Sequence, residues 1–109
     1  MSAAAIVDPD TYLTGVPYEL LAGLRAESPV VRVGDFWAVL RHADVRQVLR
    51  NPQVFSSHLG GTQIRDPATP ADLAYVRAMM LNSDPPDHGR LRNLLTRAFT
   101  PRAVAALET

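Results

Sequence analysis

"DPPDHGRLR", Asp84 to Arg92, is the stretch on which the reading of this chain turns. Pro85 and Pro86 sit where a helix is entered, because proline lacks an N–H that the first turn leaves unbonded anyway and its fixed φ suits that turn. From about Pro86 to Phe99 the apolar residues then keep helical period. Leu91, Leu94, Leu95, Ala98 and Phe99 form one stripe, and Arg90, Asn93 and Arg97 gather opposite it, facing solvent. His88 and Arg92, one turn apart, fall with Leu95 and Phe99 at the margin of the stripe expected to be buried. A buried guanidinium without an anion is costly, so Arg92 needs a carboxylate or phosphate. Asp84, at or near the helix cap, and Asp87, in the first turn, suit the positive end of the helix dipole, and neither faces Arg92. An internal Asp or Glu is the commoner partner for such an arginine. The other arrangement is an exogenous carboxylate gripped by the Arg92 fork and a His88 ring N–H.

Working outward, 109 residues with 47% hydrophobic content and no net charge describe an ordinary globular chain. Eleven basic residues balanced by eleven acidic ones leave no broad positive field, which argues against nucleic acid and against a membrane surface. With no cysteine there is no disulfide, no thiolate metal site and no thiol nucleophile. "MSAAAIVDPD" has neither a basic start nor a long apolar run, and no stretch reaches the ~20 apolar residues of a membrane span, so a cytoplasmic location is expected.

Upstream, "PYELLAGLRAES" predicts a helix with Pro17 at its first position and Leu20, Leu21 and Leu24 on one face, ended by Ser28-Pro29. Val30–Val33 and Phe36–Leu40 around Gly34-Asp35 predict a hairpin. "HADVRQVLR" predicts a short helix with Val45, Val48 and Leu49 inward, stopping at Asn51-Pro52. Residues 56–70 are polar, rich in Gly and Pro and without period, and loops of that length are usually functional or disordered. "ADLAYVRAMML" predicts another helix, closed by Asn82-Ser83, and Thr100-Pro101 caps and starts a last one. That helix has no stop signal, so the chain is expected to be a piece of a larger protein, a single partial domain over 1–109.

"NSDPPDHGRLRNLLTRAFTPRAV", Asn82 to Val104, closely resembles the C-helix signature of the cytochrome P-450 family, the haem-thiolate monooxygenases, in its soluble bacterial branch. The family segment reads Asp-Pro-Pro-x-His-Thr-Arg-Leu-Arg, then an apolar helix, then Phe-Thr-Pro-Arg. Gly89 replaces the usual threonine, at a cost of about 1 kcal/mol in helix propensity relative to alanine. The resemblance runs backwards in order through "PYELLAGLRAESPVVRV" and "FWAVLRHADVRQVLRNPQVFSS", covering Val16 to Leu107.

The resemblance implies a mainly α fold with a small β-hairpin, the N-terminal portion of the cytochrome P-450 fold. It implies that His88 and Arg92 bind a propionate of haem b, and that the outer face carrying Arg90 and Arg97 lies on the side of the electron donor. Residues 56–81 match the variable loop and short helix between helices B and C, which closes over substrate, with Ile64, Met79, Met80 and Leu81 as substrate-facing candidates. A small organic substrate and a ferredoxin or flavoprotein donor are the implied partners. The axial cysteine, the oxygen-activating acid/alcohol pair and the Glu-x-x-Arg motif all lie C-terminal to the matched region. This piece alone is therefore expected to be inactive and to leave apolar faces uncovered. A non-enzymatic helical interaction module and a relic of a truncated gene are the alternatives. A metal site from His42, His58 and His88 fits no ligand spacing, and Asp84 with Asp87 read as helix-start carboxylates rather than as an acid/base pair.

Overall fold

The computed structural model describes residues 2–60, 65 and 67–108, and its contacts divide the chain into two compact units, Met1–Asn51 and Pro52–Thr109. The expected class holds: the chain is mainly helical with one antiparallel hairpin among the described residues.

The first unit opens with 3-10 turns at Ala3–Val7 and Pro9–Tyr12. They are held by Asp8, whose carboxylate accepts the Asp10 N–H at 3.0 Å, and by the Tyr12 hydroxyl, which donates to the Ile6 carbonyl at 2.9 Å. Helix α1 (Tyr18–Glu27) follows with Pro17 one position earlier than expected, as the cap rather than the first helical residue. Its Leu20, Leu21 and Leu24 turn inward as their spacing requires, and Leu24 is 3% exposed. Strands β1 (Val30–Val33) and β2 (Phe36–Val39) pair with Val33 opposite Phe36 and Val31 opposite Ala38. These pairs share the inward face, where Val33 is 4% exposed, while Arg32 and Trp37 pair on the outer one. Gly34 has φ of +59° and Asp35 does not have a positive φ, the pattern of a type II′ turn, which needs glycine at its first central position. Helix α2 (His42–Leu49) turns Val45 and Val48 inward. Leu49, expected on that face, is exposed at the last helical position, where Asn51 ends the helix by donating from its side chain to the Gln47 carbonyl at 2.7 Å.

In the second unit, helix α3 (Pro70–Arg77) starts at a capping Thr69, whose hydroxyl oxygen accepts the Asp72 N–H at 3.1 Å. The sequence predicts one helix to Leu81, but the backbone becomes extended at Met79 and resumes as a 3-10 turn at Met80–Asn82. The cause is Asn82, 1% exposed, whose side-chain amide donates to the Val76 carbonyl at 2.9 Å, competing for an acceptor that a continuing helix would use. Helix α4 covers Asp87–Leu95 and tightens into a 3-10 turn at Thr96–Phe99 rather than running unbroken to Phe99. There the Thr96 hydroxyl donates back to the Arg92 carbonyl at 3.2 Å. Thr100 then caps α5 (Pro101–Ala105) by accepting the Ala103 N–H at 3.2 Å, as its sequence predicts.

Nothing lies within 4 Å of where a Cβ on Gly34 would sit, so a side chain there meets only backbone strain. Gly34→Ala is expected to lower stability by about 1–2 kcal/mol, read from the urea unfolding midpoint of the chain.

Candidate functional site

The site is built on the entry to α4. Asp84 does not cap this helix with its carboxylate, as its position suggests, because Pro85 and Pro86 stand between it and the first helical residue, Asp87. Its carboxylate reaches instead to the segment before residue 60, accepting the Ser57 N–H at 2.7 Å and the Ser56 hydroxyl. Only its carbonyl serves α4, accepting the His88 N–H at 3.0 Å. The Ser56 hydroxyl, then the Ser57 N–H, hold the Asp84 carboxyl below the usual carboxylate range, with a smaller contribution from His58; partial desolvation opposes them.

The same corner gathers groups whose local sequence gives no hint of the meeting. Arg77, in the last turn of α3, donates to the carbonyls of His58 at 2.7 Å and Leu59 at 2.9 Å. The His58 ring lies 3.3 Å from the Asn82 carbonyl through Nδ1. The Ser56 hydroxyl oxygen accepts the N–H groups of His58 at 3.0 Å and Leu59 at 3.3 Å. Serine pairs and Asp-Pro steps are common turn signals, and the signal that joins Ser56 to Asp84 lies in space, not in period.

His88 and Arg92 both lie on α4, at the spacing that puts two side chains on one helix face. His88 is half-buried, and among the described residues its ring has no hydrogen-bond partner. Arg92, expected at the edge of a buried stripe, is exposed, because the described residues do not cover that stripe. Leu94 is 78% and Phe99 72% exposed, and Leu91 and Leu95 are also open. Among the described residues the ion pair on this helix is Arg90 with Asp87 at 3.3 Å, both exposed, and no carboxylate lies within that reach of Arg92. Met80 is half-buried, Met79 and Leu81 are exposed, and Ile64 lies outside the described residues.

The helix thus carries a half-buried imidazole and an exposed guanidinium beside exposed leucines. No protein-family model matches the chain. Individual proteins do. A steroid C26-monooxygenase of Rhodococcus jostii is 34% identical over 113 residues, which takes in 92% of this chain and 24% of that protein. Cytochrome P450 109 of Bacillus spizizenii is 40% identical over 95 residues, 85% of this chain and 20% of its own length. The chain belongs to the cytochrome P-450 family. Linalool 8-monooxygenase of Pseudomonas putida extends the match to 99% of this chain at 34% identity, with 29% of that protein covered. This cytochrome P-450 chain therefore spans about a quarter of the length of the relatives it matches. Among its described residues no helix is long and apolar enough to cross a membrane.

Two expectations follow. Asn82→Ala removes a buried donor and leaves the Val76 carbonyl without it, so it is expected to destabilise the chain by about 1–3 kcal/mol in urea unfolding. Because the folded-state pKa of Asp84 is depressed, its contribution is complete above the ordinary carboxylate pKa of about 3.9 and is lost as pH falls through the lower folded value. Urea midpoints measured from neutral to acid pH are expected to show this loss in the native chain and to show less of it in Asp84→Asn.

Proposed function

We propose that this segment belongs to a haem-thiolate monooxygenase and that His88 and Arg92 hold a haem propionate. The observation that carries the reading is Arg92: a guanidinium in the family's motif position, one turn after His88, with no carboxylate near it among the described residues. A propionate is a carboxylate at the edge of a flat apolar macrocycle, so it suits both the two donors and the open Leu91 and Leu95 beside them.

Haem, when bound, supplies the redox chemistry for inserting one oxygen atom from O2 into an organic substrate. The part played by these residues is binding and orientation. Arg92 offers a charged fork, and His88 offers a ring N–H from a half-buried position. Neither touches the reacting atoms, and the chain contains no cysteine, so the iron's thiolate must come from outside these 109 residues. The segment by itself is inactive on this reading.

Residues 56–81 belong to the region between helices B and C that closes over the substrate, with Met79, Met80 and Leu81 facing it. Helix α4 is then helix C, and its outer face, with Arg90 and Arg97, lies toward a ferredoxin or flavoprotein donor in the cytoplasm. The names of the relatives give the substrate class only as small organic molecules, a steroid and linalool among them. A second reading, a non-enzymatic helical interaction module, draws on the exposed Leu94, Phe99 and Leu107.

Haem titration of the intact protein carrying this segment tests the proposal. Arg92→Ala is expected to weaken haem binding about 10- to 100-fold, the loss of a charge-assisted hydrogen bond, and His88→Ala about tenfold. Arg90→Ala, on the outer face, is expected to leave the affinity within about twofold, since exposed pairs contribute little. Equal affinities across Arg92→Ala, His88→Ala and the native protein would remove the propionate role, and absence of haem uptake would favour the interaction module.

A further inference from the structure

We propose that Asp84 is a positioning residue, latching residues 56–59 onto the turn that opens α4 and presents His88. The proposal rests on the reading above for what the latched segment does, since 56–59 is the start of the stretch said to close over substrate.

Residues 56–59 form neither helix nor strand, yet five of their eight backbone N–H and carbonyl groups have partners. The N–H of Ser57 goes to Asp84, those of His58 and Leu59 go to the Ser56 hydroxyl oxygen, and the carbonyls of His58 and Leu59 go to Arg77. A hydroxyl has one proton to donate and two lone pairs with which to accept. Ser56 uses both lone pairs on its own chain and gives its proton to Asp84, so the direction of that hydroxyl depends on the carboxylate. Asp84 therefore holds the segment twice, directly at Ser57 and through Ser56 at the next two residues. Its carbonyl meanwhile accepts the His88 N–H at 3.0 Å. One residue thus ties the loop by its side chain and the His88 turn by its main chain, across a separation of 28 residues from Ser56. Arg77 and Asn82 are the secondary ties: Arg77 holds the loop carbonyls, and Asn82 fixes the turn against which His58 rests.

Amide hydrogen exchange, read residue by residue by NMR on the chain, tests the latch. Asp84→Asn and Ser56→Ala are each expected to speed exchange at Ser57, His58 and Leu59 about tenfold, with β1 and β2 unchanged and with Ser56→Thr restoring protection, because threonine keeps the hydroxyl. Unchanged exchange at all three amides in Asp84→Asn overturns the proposal. Should the variants fail to fold, the native chain decides it: the Ser57 amide proton is expected to shift as the carboxylate titrates below about pH 4. An amide indifferent to acid overturns the latch. In the haem-loaded intact protein, carbon monoxide rebinding after flash photolysis is expected to accelerate several-fold in Ser56→Ala and return to the native rate in Ser56→Thr. An unchanged rate overturns the positioning role. Failure of the intact protein to take up haem would contradict the monooxygenase reading, while the exchange result would still decide the latch.

Discussion

Two prolines and a carboxylate set the constraint from which the second unit is organised. Pro85 and Pro86 fix where α4 can begin, and they leave Asp84 too far back to cap it with its side chain. Freed from that duty, the carboxylate binds Ser56 and Ser57, and the intervening chain is closed into a loop whose two ends meet at one residue. Within that closure Arg77 bonds the His58 and Leu59 carbonyls that the irregular backbone leaves over, and Asn82 bonds the Val76 carbonyl at the end of α3. The result is a polar corner whose hydrogen bonds to Asp84 depend on its charged carboxylate.

The apolar faces follow a different logic. Among the described residues only Leu24 and Val33 are buried hydrophobics, and both belong to the first unit. In the second unit the leucines of α4 keep their helical spacing while remaining open. On the proposed reading, that stripe, flanked by a histidine and by an arginine with no carboxylate near it among the described residues, meets an occupant that is apolar across its face and anionic at its rim. Haem has both properties, which is why the residue chemistry and the family membership lead to the same proposal.

Much of this was legible in the sequence, because it rests on local rules. The Gly34-Asp35 turn and the Thr100-Pro101 cap depend on residues within one turn of each other, and each stands where those rules place it; at the entry to α4 the start was legible to within a residue, but the duty of Asp84 was not. The helix breaks at Met79 and at Thr96 were not legible, because hydrophobic period continues through both while a side chain, Asn82 in one case and Thr96 in the other, takes a backbone acceptor. The Asp84 corner was hidden for another reason: its partners lie 27 and 28 residues away, and no periodicity links them. His88 and Arg92 were legible as a pair on one face. What the helical wheel did not show is that the chain's described residues leave Arg92 exposed.

The most direct test of the central claim is a crystal structure of the haem-loaded intact protein. The account predicts a propionate oxygen within hydrogen-bonding distance, about 3 Å, of both the Arg92 guanidinium and a His88 ring nitrogen. Propionates held by other side chains, with Arg92 turned to solvent or paired with an internal carboxylate, would contradict it.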